Sequence, residues 1–319
     1  MYHGEQECQS IVKSTGKPCT NKAYYLDDGL VKCGVHSQKT TRTKLPTNPN
    51  KGLLEREERE KNFNLAKEAS VINAQAGKAG NVILTKLGMM KKPEEVEGYY
   101  KIFPNFKHGN RQDGFGCPGL SPMHMGPFDT QQANHPIVQN LENFHQGNKV
   151  FDIDIDPSTG NFSISGWNKR LEMYADLKPH RHKYNRGDKP LYSVLFDFNN
   201  VARAFGAVDS RYFYCKYYED FILSNDMEKY PMTTRRSKTV EQFKQLQALI
   251  SRGYNLSICG YDAYAFDHDE KGIPDILKAY KDPSKPFGHE RVLYTLLTTT
   301  PENYPWNIEK KDIHHGIVF

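Results

Sequence analysis

Three cysteines and a histidine crowd the N-terminal end of the chain in the pattern Cys8-x10-Cys19-x13-Cys33-x2-His36. No other feature limits the fold as tightly. Thiolate and imidazole are the donors zinc prefers, and four of them close a tetrahedral structural site. Cys33 and His36 are near enough to chelate from one tight turn, with Gly34 easing the backbone between them. About 37 residues cannot bury a self-sufficient core, so a metal would supply the missing folding free energy, on the order of 10 kcal/mol or more. The expectation is a structural Zn2+ module over residues 1–37, held by Cys8, Cys19, Cys33 and His36, with His3 as a substitute ligand. Free cysteines in a loose tail are the alternative, and they leave the chelating intervals unexplained.

The other three cysteines, Cys117, Cys215 and Cys259, are scattered singly along a chain of 319 residues. That is no disulfide framework, and the three read as small buried hydrophobes. The opening MYHGEQECQS lacks a secretory pattern, and no apolar run approaches the 18 or so residues a membrane span needs. An intracellular location and no membrane partner are therefore expected. Apolar residues make up 37% of the chain and aromatics 12%, with 19 Tyr and 17 Phe, which points to a core built on large rings. A formal charge of only +5 says little about nucleic acid, so local clusters carry that question.

Four regions follow one another. After the module, residues 38–50 carry two prolines and read as a linker. Residues 51–76 form a charged helix with a thin stripe through Leu54, Phe63, Leu65, Ala69 and Ile72. The main domain runs from about residue 80 to 311. Its strand candidates are Asn81–Thr85, Val150–Ile155, Leu191–Phe198 and Leu256–Cys259. Its helix candidates are Gln139–Val150, Ser210–Ser224, Thr239–Arg252 (closed by Gly253) and His289–Thr298. Intermixed helices and strands predict a mixed main domain of α/β or α+β class behind the zinc-binding module.

Candidate chemistry gathers in several places. Read as a helix, Glu142, His145, Gln146 and Lys149 share one face and offer a carboxylate, an imidazole, an amide and an ammonium for acid–base work or for binding a polar ring; a solvated face with an internal salt bridge is the plainer reading. Tyr261 and Asp262 follow the apolar run LSIC, where α/β proteins tend to place sites, although the Asp can equally cap a turn. His289 opens a helix after Pro286 and Gly288, where backbone donors attract anions, and Glu290 beside it suits the helix dipole. The loop Pro179–Tyr184, with His180, Arg181 and His182, reads as phosphate-contacting. Arg211 and Tyr214 lie in an aromatic stretch that is mostly core but can border a pocket or stack a nucleotide. Phosphate-loop, dinucleotide-fingerprint, nucleophile-elbow and HExxH motifs are all missing, which argues against those classes.

Two resemblances sharpen the expectation. CQSIVKSTGKPCTNKAYYLDDGLVKCGVH looks like a short module found at the front of proteins from large DNA viruses and phages; Lys13, Lys17, Lys22 and Lys32 between the ligands read as phosphate contacts or, equally, as the solvated surface of a small module. The main domain resembles uncharacterised proteins of large DNA viruses and phages. The segments that carry this are Ser121-Pro122 through Gly126-Pro127, LENFHQGNKVF, the Tyr/Arg helix, ICGYDAY and KPFGHERVLYTLL. More remotely it is similar to the NADAR superfamily of N-glycosidases, which act on riboside or ADP-ribose-type substrates. The resemblance matches Glu142 and Gln146 to that family's first helix and Asp262 to its later acid. Ala263-Tyr264 stand where the family has Trp-Gly. It implies Glu142 as the working carboxylate, Asp262 as its partner and Arg211 or His289 holding phosphate.

An N-glycosidase-type hydrolase with Glu142, Asp262 and His289 catalytic is thus the leading expectation. His145, Gln146, Lys149, Arg181, Arg211, Tyr214 and Tyr261 would bind the nucleotide-type substrate or nucleic acid. The rival is a non-catalytic viral zinc-finger protein that binds nucleic acid or acts in the virion, and a nuclease stands third.

Overall fold

A computed structural model describes residue 2 and residues 4–46, 49–88, 92–132 and 137–318. His3 lies outside the described residues. The chain forms two compact units, Met1–Lys61 and Asn62–Phe319. Mixed helices and sheets make up the whole, and no described helix is long and apolar enough to cross a membrane.

The first unit is built on three short antiparallel strands, β1 (Tyr25–Asp27), β2 (Leu30–Lys32) and β3 (Thr43–Lys44), in the order β2-β1-β3. Asp28 and Gly29 join β1 to β2 with φ of 53° and 71°, the two-residue turn whose twist suits a hairpin. Asp27 is buried and accepts from Gln38 N at 2.9 Å, Thr41 Oγ1 at 2.7 Å and Lys32 Nζ at 3.3 Å. Lys32 is therefore committed to that carboxylate, whereas Lys13, Lys17 and Lys22 are exposed.

Helix α1 (Lys51–Gln75) contains the boundary between the units. Its buried positions are Ala66 and Ser70, while Leu54, Phe63 and Ile72 are exposed. The expected stripe is thus displaced, because small residues allow close backbone approach where large ones would not. The strands that follow are β4 (Val82–Lys86), β5 (Tyr99–Phe103), β6 (Phe115–Gly116), β7 (Phe128–Asp129), β8 (Ile137–Val138), β9 (Lys149–Val150), β10 (Tyr192–Phe196), β11 (Ala202–Phe205), β12 (Asn255–Gly260) and β13 (Ile317–Val318). The later helices are α2 (Leu141–Gly147), α3 (Ile164–Ala175), α4 (Ser210–Leu223), α5 (Thr234–Ser251), α6 (Ile276–Lys281), α7 (His289–Thr298) and α8 (Pro305–Ile308).

Two four-stranded sheets organise the second unit. One is parallel, in the order β4-β12-β5-β6, with Leu256 opposite both Val82 and Tyr100. The near-continuous apolar run of β12 suits a central parallel strand covered on both faces. The other is antiparallel, in the order β13-β11-β10-β9. Tyr214, Tyr217, Tyr218, Phe221 and Phe243 sit in the main core with Leu141, Phe144, Ile258 and Val292.

The strand expected over Val150–Ile155 stops at Val150. The chain turns through a single 3-10 turn at Asp152–Asp154, fixed by Asp154 Oδ2 accepting from Phe151 N at 3.0 Å. The first main-domain helix is shorter than expected, because the Asn140 side chain caps it at Asn143 N and Lys149 has already entered β9. Conversely, α5 starts earlier than expected, with the Thr233 hydroxyl accepting from Arg236 N at 3.2 Å. It ends at Ser251 with Arg252 as its cap, and Gly253 beyond has a φ of +88° and a position where a Cβ would lie 2.5 Å from Ser70 O.

Arg170 on α3 is fully buried and donates to Asn148 Oδ1 at 2.9 Å and to Gln132 Oε1, tying α3 to the end of α2. Arg170→Ala removes one donor from each acceptor, Asn148 Oδ1 keeping Tyr174 OH and Gln132 Oε1 keeping Phe196 N, and opens a cavity. We expect a loss of about 2 to 5 kcal/mol, read as a lower urea midpoint at unchanged slope; an unshifted midpoint would contradict this role.

Candidate functional site

In the first unit, Cys8, Cys19, Cys33 and His36 bring their ligand atoms within 4.8 Å of one another, and among the described residues they are the only such group. The three cysteines are buried. His36 turns its Nδ1 inward, 3.4 Å from both Cys8 Sγ and Cys33 Sγ. Backbone bonds from His36 N and Ser37 N to Cys33 O form the tight turn that lets Cys33 and His36 converge. Asn21 Nδ2 approaches Cys33 Sγ at 3.8 Å. Burial alone would raise the Cys8 thiol, but hydrogen bonds from Ser10, Cys33 and His36 outweigh it and bring its pKa to about 6. Donor type, number and spacing all fit a metal ion.

The second unit carries a different cluster, formed by residues of α2 and β9. Helix α2 presents Glu142, whose Oε1 accepts from Gln146 Nε2 at 3.0 Å; Gln146 Oε1 in turn accepts from Lys149 Nζ at 3.0 Å. Lys149 lies beyond the helix, yet joins the same chain of contacts. Burial pushes the Glu142 carboxyl above its ordinary value, opposed in part by the Gln146 bond and by the charges of Lys149, His289 and Arg181. Burial likewise lowers Lys149, against the pull of Glu142 and Asp262. It drives His145 well below the usual imidazole range, so that ring is neutral at neutral pH. The His145 ring lies 5.0 Å from that of Tyr214, a buried phenol held in its neutral form by burial and by Glu142.

Glu142, Gln146, Lys149, His289, Arg181 and Asp262 are therefore linked by direct contact or by charge. Two devices hold Arg181 in place. Asn143, on the turn next to Glu142, donates through Nδ2 to Asp176 O at 2.9 Å and Lys178 O at 3.1 Å, and its Oδ1 accepts from His180 N at 2.8 Å. Lys183, with no exposed side-chain surface, donates to Asp154 Oδ2 at 3.1 Å and Lys149 O at 3.2 Å, while Tyr184 bonds the other Asp154 oxygen. The loop is strapped at both ends with exposed Arg181 between the straps. His180 is taken by Asp176 Oδ2 at 2.6 Å.

Asp262 follows β12 directly. Arg291, buried on α7, grips that segment by donating to Tyr264 O at 2.9 Å and Ala265 O at 3.1 Å. Tyr261 is 44% exposed, with its ring 6.1 Å from His108. Arg211 does not join the cluster. Its guanidinium donates to three backbone carbonyls, Tyr280 O at 2.5 Å, Lys285 O at 2.8 Å and Asp282 O at 2.9 Å, and so fixes the loop leading to α7 instead of meeting a ligand.

Glu290, read from sequence as a helix-dipole residue, is 1% exposed and lies 3.2 Å from His289 Nδ1 through Oε2. A Cβ on Gly260 would fall 1.9 Å from its Oε1, and one on Gly288 3.1 Å from its Oε2. Gly260→Ala must displace this carboxylate. Overpacking of this kind costs about 1 to 3 kcal/mol, and thermal unfolding of the variant checks it.

No protein-family model, curated protein or solved structure matches this chain.

Proposed function

We propose that the second unit is an N-glycosidase-type hydrolase acting on the glycosidic bond of a nucleotide, an ADP-ribose-type compound or a nucleic acid, and that the first unit carries a structural zinc ion. The observation that carries the enzyme reading is a half-buried carboxylate, Glu142, whose pKa desolvation raises, with the charges of Lys149, His289 and Arg181 acting on it and Asp262 acting on Lys149. Residues whose environments push their pKa values away from normal in one place are the mark of acid–base machinery.

Cleaving C1′–N of a neutral base needs a proton for the departing nitrogen, which the pyridinium of NAD does not, and both need negative charge for an oxocarbenium-like sugar. Glu142, whose carboxyl burial raises above its ordinary value, is the proposed source of the proton. Asp262, exposed at the end of β12, faces the developing positive charge. Lys149 and Arg181 hold phosphate, the part first expected of Arg211, and His145 and Gln146 offer hydrogen bonds to the base. The remote NADAR resemblance agrees with this arrangement at Glu142, Gln146 and Asp262. Chromatography of free base released from NAD, ADP-ribose conjugates and ribonucleoside 5′-monophosphates tests the reading. Release that persists undiminished in a Glu142→Gln, Asp262→Asn double variant would overturn it.

A second reading concerns the first unit alone. Exposed Lys13, Lys17 and Lys22 around the ligand cluster favour phosphate contact. Three such contacts predict that log K for single-stranded DNA falls with log salt at a slope of about −2. A flat salt profile would remove this role.

A further inference from the structure

We infer that Glu290 is a positioning residue for His289, and that this pair is the proton-accepting arm of the site, with His289 Nε2 taking a proton from the attacking water. The inference deepens the glycosidase reading and rests on it.

Glu290 Oε2 lies 3.2 Å from His289 Nδ1, within ion-pair distance but not aligned as a hydrogen bond, and has no hydrogen-bond partner among the described residues. A negative charge that near one ring nitrogen favours the proton on it, which leaves the other nitrogen with its lone pair. That other nitrogen, His289 Nε2, is buried and unpartnered. Charge coupling between His289 and Glu142 puts the ring in the same cluster as the proposed acid.

A carboxylate in the first turn of α7 would help the helix dipole just as well from solvent. Burial is what needs explaining, and the local sequence is built to permit it. Gly260 at the end of β12 and Gly288 at the cap of α7 are the two places where a side chain would collide with Glu290. Arg291, next in sequence, is engaged with Tyr264 and Ala265 and does not neutralise it. Among the described residues the imidazole is the one group within ion-pair distance of this carboxylate.

The step balances without any added reactant. The C1′–N bond breaks and its electron pair leaves with the base nitrogen, which takes the Glu142 proton. Water oxygen bonds C1′ and gives one proton to His289 Nε2. Return of that proton from the imidazolium to the Glu142 carboxylate, through solvent, resets the site.

The test uses the full chain with 15N-labelled histidine. Long-range 1H–15N spectra should show His289 as the Nδ1–H tautomer, and Glu290→Gln should mix or reverse it while lowering base release roughly 10- to 100-fold. His289→Ala should lower release about 100- to 10,000-fold, with partial recovery on adding imidazole, which a purely structural role would not show. A Glu290→Gln variant with the wild-type tautomer and wild-type turnover would overturn the inference. Absence of base release from the wild-type protein would instead remove the glycosidase reading and the proton-accepting role with it, while the tautomer would still decide whether Glu290 positions His289.

Discussion

Glu142→Gln is expected to cost about 100- to 10,000-fold in base release and, at the same time, to stabilise the folded protein at neutral and alkaline pH. Burial raises the Glu142 pKa in the native state above its unfolded value. Between those two values the unfolded chain has lost a proton that the native one retains, so stability falls as pH rises through this window. Above the native pKa the whole penalty is present; below the unfolded value it vanishes. Glutamine can still accept from Gln146 and carries no such penalty. Urea midpoints of the two proteins should therefore lie close together near pH 4 and separate by pH 8, with the variant the more stable. A variant that is less stable at pH 8 than wild type would show that Glu142 is ionised and well paired, and the proposed proton donor would be lost.

Stripping the metal from the first unit should unfold it. The protein should carry one zinc per chain, and a strong chelator should release it together with the fold of residues 8–45. Two small apolar groups, one made by the cysteines and Val12 and the other by Ala23, Val31 and Leu45, are all the core the described part of this unit has. A metal contribution of about 10 kcal/mol or more exceeds anything those groups supply. Amide exchange across β1 and β2 should rise to the rate of an unstructured chain after chelation, and Cys19→Ser should reproduce the effect without a chelator. Protection that survives chelation would show that the strands stand without metal.

Sequence reasoning reached the Cys8, Cys19, Cys33 and His36 cluster, which could hold a metal ion, because chelating intervals leave a spacing pattern. It also read α7 from end to end, since Gly288 and the apolar period mark both limits. It missed α3, whose inward face carries Arg170 and Gly166 in place of an apolar stripe, and it missed β5, where buried Lys101 breaks the pattern of a strand. The same blindness affected the site. Arg211 looked like a ligand contact because a cation on an aromatic helix is rarely expected to serve three backbone carbonyls. Glu290 looked like a helix cap because nothing local reveals that its neighbours at Gly260, distant in sequence, make room for it. Asn143 gave no signal at all, since a tether for a loop some 35 residues onward is visible only once both are in place.

The parallel sheet carries a consequence for synthesis. Strand β12 is its second member in space, yet Asn255 bonds to Asn81 across a separation of 174 residues. At roughly 5 to 20 residues per second, a ribosome needs about 10 to 35 s between making β4 and making the strand that joins it to β5. Throughout that interval β4 and β5 each lack their shared neighbour, and their unpaired edges invite wrong partners. A nascent chain paused before residue 255 should therefore be a client for chaperones, and truncations ending there should aggregate where the complete chain does not.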